Sequence, residues 1–303
     1  MKQFWFCFAL LLLTNFTFAQ SHTPEYFSES MLKEEGVRTV SIYETWIEDP
    51  VGFSGHKNMI RLAKNLISES YYNESGKRTR ALFYRKDSET IRDYVLYHYD
   101  GQGRLSQRDY HYPKDESDGG DMLVRHDKYA YGKGDQVAQQ VVSQDGDKKE
   151  VITDSTLFDY DGQGRVKTEM RHVLANGQMK PGLSRNYNYK GARETVILIM
   201  SGEVLLGKEI KKYDDAGNLV SSAYFHEDDF EPRYAENYKY DPRGWLEEVT
   251  YDYDWNHHKR SEVVVSRKNK YDDHGKLVEA QMDYGNGRRL MRYVDYVYYV
   301  AEK

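Results

Sequence analysis

Cysteine is nearly absent from this sequence, in which Cys7 is the only one. A disulfide within one chain needs two cysteines, so an intramolecular disulfide is excluded. Cys7 lies in an N-terminal segment that we expect to be removed, which leaves no thiolate nucleophile and no cysteine metal ligand. The fold must therefore be held by core area and backbone pairing, for which 303 residues are enough.

An excess of basic residues is lacking as well. The 43 Lys and Arg residues stand against 49 Asp and Glu residues, which gives a formal charge of −6 at pH 7. The sequence has no basic stripe, so it gives no support to a nucleic-acid partner or to an anionic membrane as a partner.

Catalytic motifs are missing too. The sequence has no G-x-S-x-G, no H-E-x-x-H and no phosphate-binding loop. Gly101-Gln102-Gly103 begins like a nucleotide fingerprint, but no helical pattern follows it. The recurrent aspartates are explained as turn formers. We therefore expect a protein that is not an enzyme, with no catalytic residue, no metal and no cofactor.

A long apolar run occurs only near the N-terminus. Lys2 supplies a positive charge, residues 4–13 are apolar, and Thr17 and Ala19 place small residues before a cleavage point. The run is shorter than the ~20 residues that span a bilayer. We expect residues 1–19 to be a secretory signal. The mature chain would be exported to the periplasm, the cell surface or the exterior, without a transmembrane segment.

A short motif recurs along the rest of the chain. Tyr-Asp-Gly-Gln-Gly-Arg-Leu at residues 99–105 returns almost unchanged at 160–166 and in weaker form at 213–219, 240–246 and 271–277. An earlier version with Asn begins at Tyr72, and worn copies begin at Tyr131 and Tyr189. Successive motif tyrosines are 24 to 32 residues apart, a period typical of repeat architectures.

Each motif has the composition of a hairpin turn. Its Asp can accept a hydrogen bond from the backbone two residues on. Its last Gly can adopt the positive φ that ends a type I turn with a bulge. The predicted turn residues are Tyr99, Asp100, Gly103, Tyr160, Asp161, Gly164, Tyr213, Asp214, Gly217, Tyr240, Asp241, Gly244, Tyr271, Asp272 and Gly275.

The segments between the motifs are rich in Tyr, Val and Thr, which suit a pleated sheet. A single hairpin is marginal in water, so the units must pair edge to edge. The sequence therefore predicts an all-β fold, an antiparallel β-hairpin repeat array that forms a long, twisted or spiralling sheet.

The pattern Tyr-Asp-x-x-Gly-[Arg/Lys]-[Leu/Val] resembles the YD repeat of Rhs-type and related bacterial wall or toxin-shell proteins. The resemblance covers roughly residues 70–285. The copies at Tyr99, Tyr160 and Tyr271 match fully, whereas the other two depart at Asn218 and Trp245. The resemblance implies a β strip that spirals into a shell, sometimes around a toxin, and this chain is identified as a secreted stand-alone member.

The domain organisation that we expect is simple. Residues 20–36 form a polar leader, in which 28–36 have the length of about two helical turns. Residues 37–303 form a single repeat domain, and its first part, 37–71, is a capping repeat that starts with a strand. Residues 292–300 are the final strand, and Glu302 and Lys303 would make it a charged edge that discourages further pairing.

Two clusters raise the question of ligands. Asp252, Asp254 and Asn256 begin like a calcium loop, but His257 and Val263 occupy positions that need Gly and Glu, so a solvated loop is favoured.

The second cluster, the candidate patch, is aromatic and consists of Tyr251, Tyr253 and Trp255, whose spacing places them on one sheet face. Such a face either covers the core or offers a platform for sugar rings or a partner strand. We expect a structural or interaction module at the bacterial cell envelope, whose partner is a cell-surface glycan or an envelope protein. A glycan-binding surface protein, and a shell fragment or accessory of a toxin system, are the alternatives.

Overall fold

The computed structural model describes residues 29–48, 60–61, 64–85, 88, 90–113, 122–145, 149–253, 265–283 and 288–299. These residues form one short helix, α1 (Glu29–Glu34), and nineteen strands. The strands are β1 (Val37–Glu48), β2 (Ile60–Arg61), β3 (Asn65–Tyr72), β4 (Arg78–Tyr84), β5 (Ile91–Tyr99), β6 (Leu105–Pro113), β7 (Met122–Tyr131), β8 (Val137–Asp145), β9 (Glu150–Tyr160), β10 (Val166–Ala175), β11 (Gln178–Lys190), β12 (Glu194–Ser201), β13 (Val204–Tyr213), β14 (Leu219–His226), β15 (Tyr234–Tyr240), β16 (Leu246–Tyr253), β17 (Val265–Tyr271), β18 (Leu277–Asp283) and β19 (Arg288–Tyr298). The predicted all-β antiparallel class is confirmed.

The sheet closes on itself. From β3 to β19 each strand pairs antiparallel with the next along the chain, and β1 pairs with β3 on one side and with β19 on the other. Eighteen strands thus form a closed barrel, and the two-residue β2 extends the pairing of β1 at Ile47 and Glu48. The prediction of a long, twisted or spiralling sheet is wrong, because the first and last strands pair with each other.

The expectation of a charged final edge is also wrong. β19 is matched to β1 from Arg288 to Tyr298, and Arg292 Nε donates a hydrogen bond of 2.6 Å to Glu44 across this seam. Closure leaves no row of unpaired backbone groups at the seam, so edge protection by terminal charges is not needed there.

The two ends of the barrel differ because consecutive hairpins alternate between them. All the motif turns lie at one end, which we call the motif end, and the hairpins between the even-numbered strands and their successors lie at the far end. Helix α1 packs at the motif end. Its Leu32 is fully buried against Val37, Tyr72 and Leu277 in a cluster of buried apolar residues, and the chain then leaves the helix through Gly36, with φ of 63°.

Cross-strand register identifies the enclosed face. Residues directly opposite each other on paired strands share a face, so Tyr97 shares one with Arg108, and Arg108 shares it with Asp127. Followed around the barrel, this face carries most of the buried side chains, including Val95, Arg185, Ile197, Ile199, Ser222, Val249, Arg267, Ala280 and Val294. We call it the inner face. The outer face carries charged residues such as Lys128, Lys208 and Lys268.

Candidate functional site

The motif aspartates are fully used in turn formation. Asp100 Oδ1 accepts hydrogen bonds from the backbone N–H groups of Gln102 and Arg104, both at 2.9 Å, and Oδ2 accepts one from Arg104 Nε at 2.8 Å. The Arg104 N–H bond is the main cause that lowers the pKa of Asp100 below its ordinary value. Gly103 closes the turn with φ of 78°. The carboxylate is therefore engaged on both oxygens and held in its ionised form.

The same geometry recurs at the other motifs. Asp161, Asp214, Asp241 and Asp272 each accept two backbone N–H bonds through Oδ1, and Asn73 does so as well. The glycines that end these turns all have positive φ: Gly76, Gly164, Gly217, Gly244 and Gly275.

The motif tyrosines make a contact that the sequence analysis did not identify. The hydroxyl of Tyr131 donates to the carbonyl oxygen of Leu105, which follows the preceding motif turn, at 2.8 Å. Five further motif tyrosines do the same, Tyr99 to Arg78, Tyr160 to Val137, Tyr189 to Val166, Tyr240 to Leu219 and Tyr271 to Leu246, at 2.8 to 2.9 Å. Tyr296 of the last strand donates to Leu277 in the same way at 2.7 Å. The only signal in the sequence was that the motif keeps Tyr where Phe would serve equally well as an apolar residue.

The candidate patch is only partly within the described residues. Tyr251 lies opposite Glu236, on the inner face. Tyr253 ends β16 opposite Tyr234. Trp255 and most of the predicted calcium-like loop lie outside the described residues. Tyr251, the one member whose side chain is described, thus faces the interior of the barrel and does not point outward.

A cluster of arginines and tyrosines lines the inner face of β3 to β7. We call it the arginine–tyrosine wall, and its members are Tyr72, Arg78, Tyr97, Arg108, Tyr110, Arg125, Asp127 and Tyr129. The guanidinium of Arg108 lies 5.5 Å from the ring centre of Tyr110 and 5.4 Å from that of Tyr129, and that of Arg125 lies 5.1 Å from Tyr110. These are cation–π distances.

One buried carboxylate serves two arginines in this wall. Asp127, with 0% of its surface exposed, accepts a bond from Arg108 Nη2 at 2.8 Å and one from Arg125 Nε at 3.0 Å. Burial raises the pKa of both Tyr110 and Tyr129 above the usual range, so these phenols are neutral near pH 7. The wall therefore combines a surplus of positive charge with neutral aromatic rings.

A second feature lies at the far end of the barrel. Successive hairpin tips there carry exposed apolar side chains, which we call the apolar rim: Ile91, Val151, Ile152, Leu174, Met179, Val204 and Phe230. Leu174 and Met179 are opposite each other beside the turn at Asn176 and Gly177. The rim spans consecutive tips from the β8–β9 hairpin to the β14–β15 loop, with Ile91 on an earlier tip.

Phe230 is the most exposed member of the rim. It is 99% exposed and sits in the loop between β14 and β15. This loop is fixed at both ends: Asp229 N–H donates to the His226 carbonyl at 2.9 Å, and Arg233 Nε donates to Asp229 Oδ2 at 2.7 Å. Glu227 adopts φ of 47°, an uncommon conformation for a residue with a Cβ. Phe230 is thus presented to solvent by a structured loop.

Within the described ranges there is no group of three or more His, Cys, Asp or Glu side chains with the arrangement of a metal site. In the same part of the chain, no helix has the length and apolar character that crossing a membrane requires.

No protein-family model matches the chain, and no curated protein sequence matches it. Membership of the YD-repeat family therefore remains a prediction. Similar solved structures include a porin-like protein from Bacteroides uniformis, at 10% identity and a TM-score of 0.42, covering 87% of this chain and 97% of that one. A porin-like protein from Bacteroides vulgatus has 11% identity and a TM-score of 0.28, with coverages of 87% and 98%. The TcdB2–TccC3–Cdc42 complex has 11% identity and a TM-score of 0.21, with coverages of 71% and 17%. None of these similarities assigns a function to this chain.

Proposed function

We propose that this protein is a non-catalytic interaction module of the bacterial cell envelope, and that the apolar rim is the surface it offers to an envelope protein. The observation that carries the proposal is Phe230, an almost fully exposed aromatic side chain held on a structured loop beside other tips that expose apolar groups. Contiguous exposed apolar residues mark interaction sites, and aromatic anchors dominate the energy of many interfaces.

The motif turns support a scaffold without catalysis. A general acid or base needs a carboxylate that is free to exchange a proton with a substrate. Asp100 and Asp161 instead have both side-chain oxygens occupied by hydrogen bonds within their own turns. The most repeated polar residue of the chain is thus committed to building the barrel. Export to the envelope rests on the composition of residues 1–19.

The rim can be tested with matched double variants. Val204→Ser with Phe230→Ser removes two apolar groups from the rim. Leu157→Ser with Met170→Ser removes a cross-strand pair of exposed apolar residues on the outer face, away from the rim. Each protein is immobilised and incubated with solubilised envelope proteins, and bound proteins are identified by mass spectrometry.

We expect a partner that the wild type and the outer-face variant retain and the rim variant loses. Equal retention by all three proteins would refute the rim as the interaction surface. The same comparison with purified envelope polysaccharide tests the glycan-binding alternative, and co-purification with a toxin subunit would favour the toxin-accessory alternative. A turnover activity abolished by a single Asp or His substitution would overturn the non-catalytic assignment.

A further inference from the structure

The arginine–tyrosine wall carries more positive charge than its acidic partners neutralise. Three positive charges come from Arg78, Arg108 and Arg125. Asp127 contributes one negative charge, which leaves a net charge of about +2 in the wall. Two further inner-face carboxylates are already paired: Asp93 on β5 with Arg92, and Asp154 on β9 with Arg171. The excess is therefore local to β4–β7.

Arg78 is the least compensated member. It is 9% exposed, and its Nη atoms donate only to phenol oxygens, to Tyr97 at 3.2 Å and to Tyr72 at 3.3 Å. No carboxylate contacts it within the described part of the chain. Burying a charged guanidinium without a counter-ion is costly. Neutral hydroxyls and ring faces offset that cost far less than an anion would.

Two buried donors are also left over. Nε of Arg78 and Nε of Arg108 have no hydrogen-bond acceptor among the described residues. The two arginines flank one side chain: Arg78 donates to Tyr97, and Tyr97 lies directly opposite Arg108. Guanidinium groups present several N–H donors in a planar fork that matches oxyanions such as carboxylate, sulfate and phosphate.

We infer that the inner face of β4–β7 is a binding site for an oxyanion group, held between Arg78 and Arg108 with the Tyr97 hydroxyl between them. The wall is open to solvent toward the far end, where Arg125 has 32% of its side chain exposed and Tyr112, on the same face, is exposed as well. The anion is either a free inorganic ion or the acidic group of a saccharide. This site is separate from the apolar rim and does not depend on it.

The test is isothermal titration calorimetry of the full mature protein with two probes, sodium sulfate and a sulfated heparin tetrasaccharide, at constant ionic strength set with sodium chloride. Arg78→Met and Arg108→Met each remove one charge from the wall. Arg193→Met removes the same charge from an exposed side chain at the turn between β11 and β12, outside the wall, and is the matched control. Arg125→Met serves as the wall variant if either of the first two fails to fold.

We expect saturable binding with one site per chain, weakened at least tenfold by the wall variants and unchanged by Arg193→Met. Saturation by sulfate identifies a free ion as sufficient, and saturation by the tetrasaccharide alone identifies a saccharide-borne anion. Two results would each overturn the inference: no saturable heat with either probe, or equal affinities for the wild type and all wall variants.

Discussion

The hydroxyl of Tyr131 donates a hydrogen bond to the carbonyl oxygen of Leu105, 2.8 Å away and one motif earlier in the chain. Tyr131 begins its motif, and Leu105 is the apolar residue that follows the previous motif turn. The bond therefore ties this repeat to its predecessor at the motif end of the barrel, as the corresponding bonds of five other motif tyrosines do. The Tyr of the motif is thus a link between repeats, in addition to the Asp and Gly that shape each turn.

Removing this hydroxyl should weaken the barrel measurably. Tyr131→Phe keeps the ring and deletes the donor, and we expect it to lower the free energy of unfolding by about 0.5–1.5 kcal/mol, the usual worth of one such bond. Tyr213→Phe is the control, because its hydroxyl makes no bond of this kind among the described residues. Urea unfolding measures both. Equal effects of the two substitutions would contradict the linking role.

The two glycines of one motif should respond differently to alanine. Gly164 has φ of 79°, so Gly164→Ala should cost about 1–2 kcal/mol from the left-handed conformation. Gly162 has open space around it, so Gly162→Ala should be neutral or stabilising by about 0.4–1 kcal/mol. The stabilisation would arise because alanine lowers the conformational entropy of the unfolded chain. Urea midpoints of the two variants check this, and similar losses in both would contradict the turn assignment.

The outer face contains a histidine that should make stability depend on pH. His126 Nδ1 lies 2.7 Å from Asp109 and Nε2 lies 3.1 Å from Asp145. Burial lowers the pKa of His126, but the hydrogen bonds to these two carboxylates raise it by more, so the pKa lies above its ordinary value. The protonated ring is therefore favoured in the folded state.

The sign of this pH effect follows from linkage. Because the pKa of His126 is raised in the folded state, the charged ring stabilises the protein at pH values below the pKa of the unfolded state, about 6.5. This stabilisation is lost as the pH rises through the pKa of the folded state. We expect His126→Gln to destabilise the protein by on the order of 1 kcal/mol more at pH 5 than at pH 8. His172→Gln, which removes no ion pair among the described residues, is the control. A loss that is the same at both pH values would refute the charged pairing.

The local structure could be predicted from the sequence because its causes are local. Asp100 and Gly103 lie within one turn, and their chemistry specifies that turn whatever the rest of the chain does. The strand class followed from the Tyr, Val and Thr content between the turns. The role of Tyr131 could not be predicted, because its acceptor is a backbone carbonyl that only the pairing of neighbouring repeats brings close.

Closure and the candidate sites depend on the whole chain. Pairing of β1 with β19 joins residues about 250 positions apart, and no local pattern specifies such a contact. The arginine–tyrosine wall was missed for the same reason: Arg78 and Arg108 belong to different hairpins, and only the register places Tyr97 between them. Whether the candidate patch covers the core or faces outward stayed open in the sequence, because the spacing of Tyr251 and Tyr253 identifies a shared face but not which face is enclosed.

Closure is most directly tested by a disulfide across the seam. Ser41 lies opposite Asp295, and opposed Cα atoms in antiparallel strands are about 4.5–5.5 Å apart, which suits a disulfide. Ser41→Cys with Asp295→Cys, in a chain with Cys7→Ser, should form an intramolecular crosslink in the monomer under mild oxidation, visible by electrophoresis and peptide mass spectrometry. Ser41→Cys with Val297→Cys, offset by two residues, should crosslink much more slowly. A monomer in which the first pair stays reduced, or crosslinks no faster than the offset pair, would contradict the closed barrel.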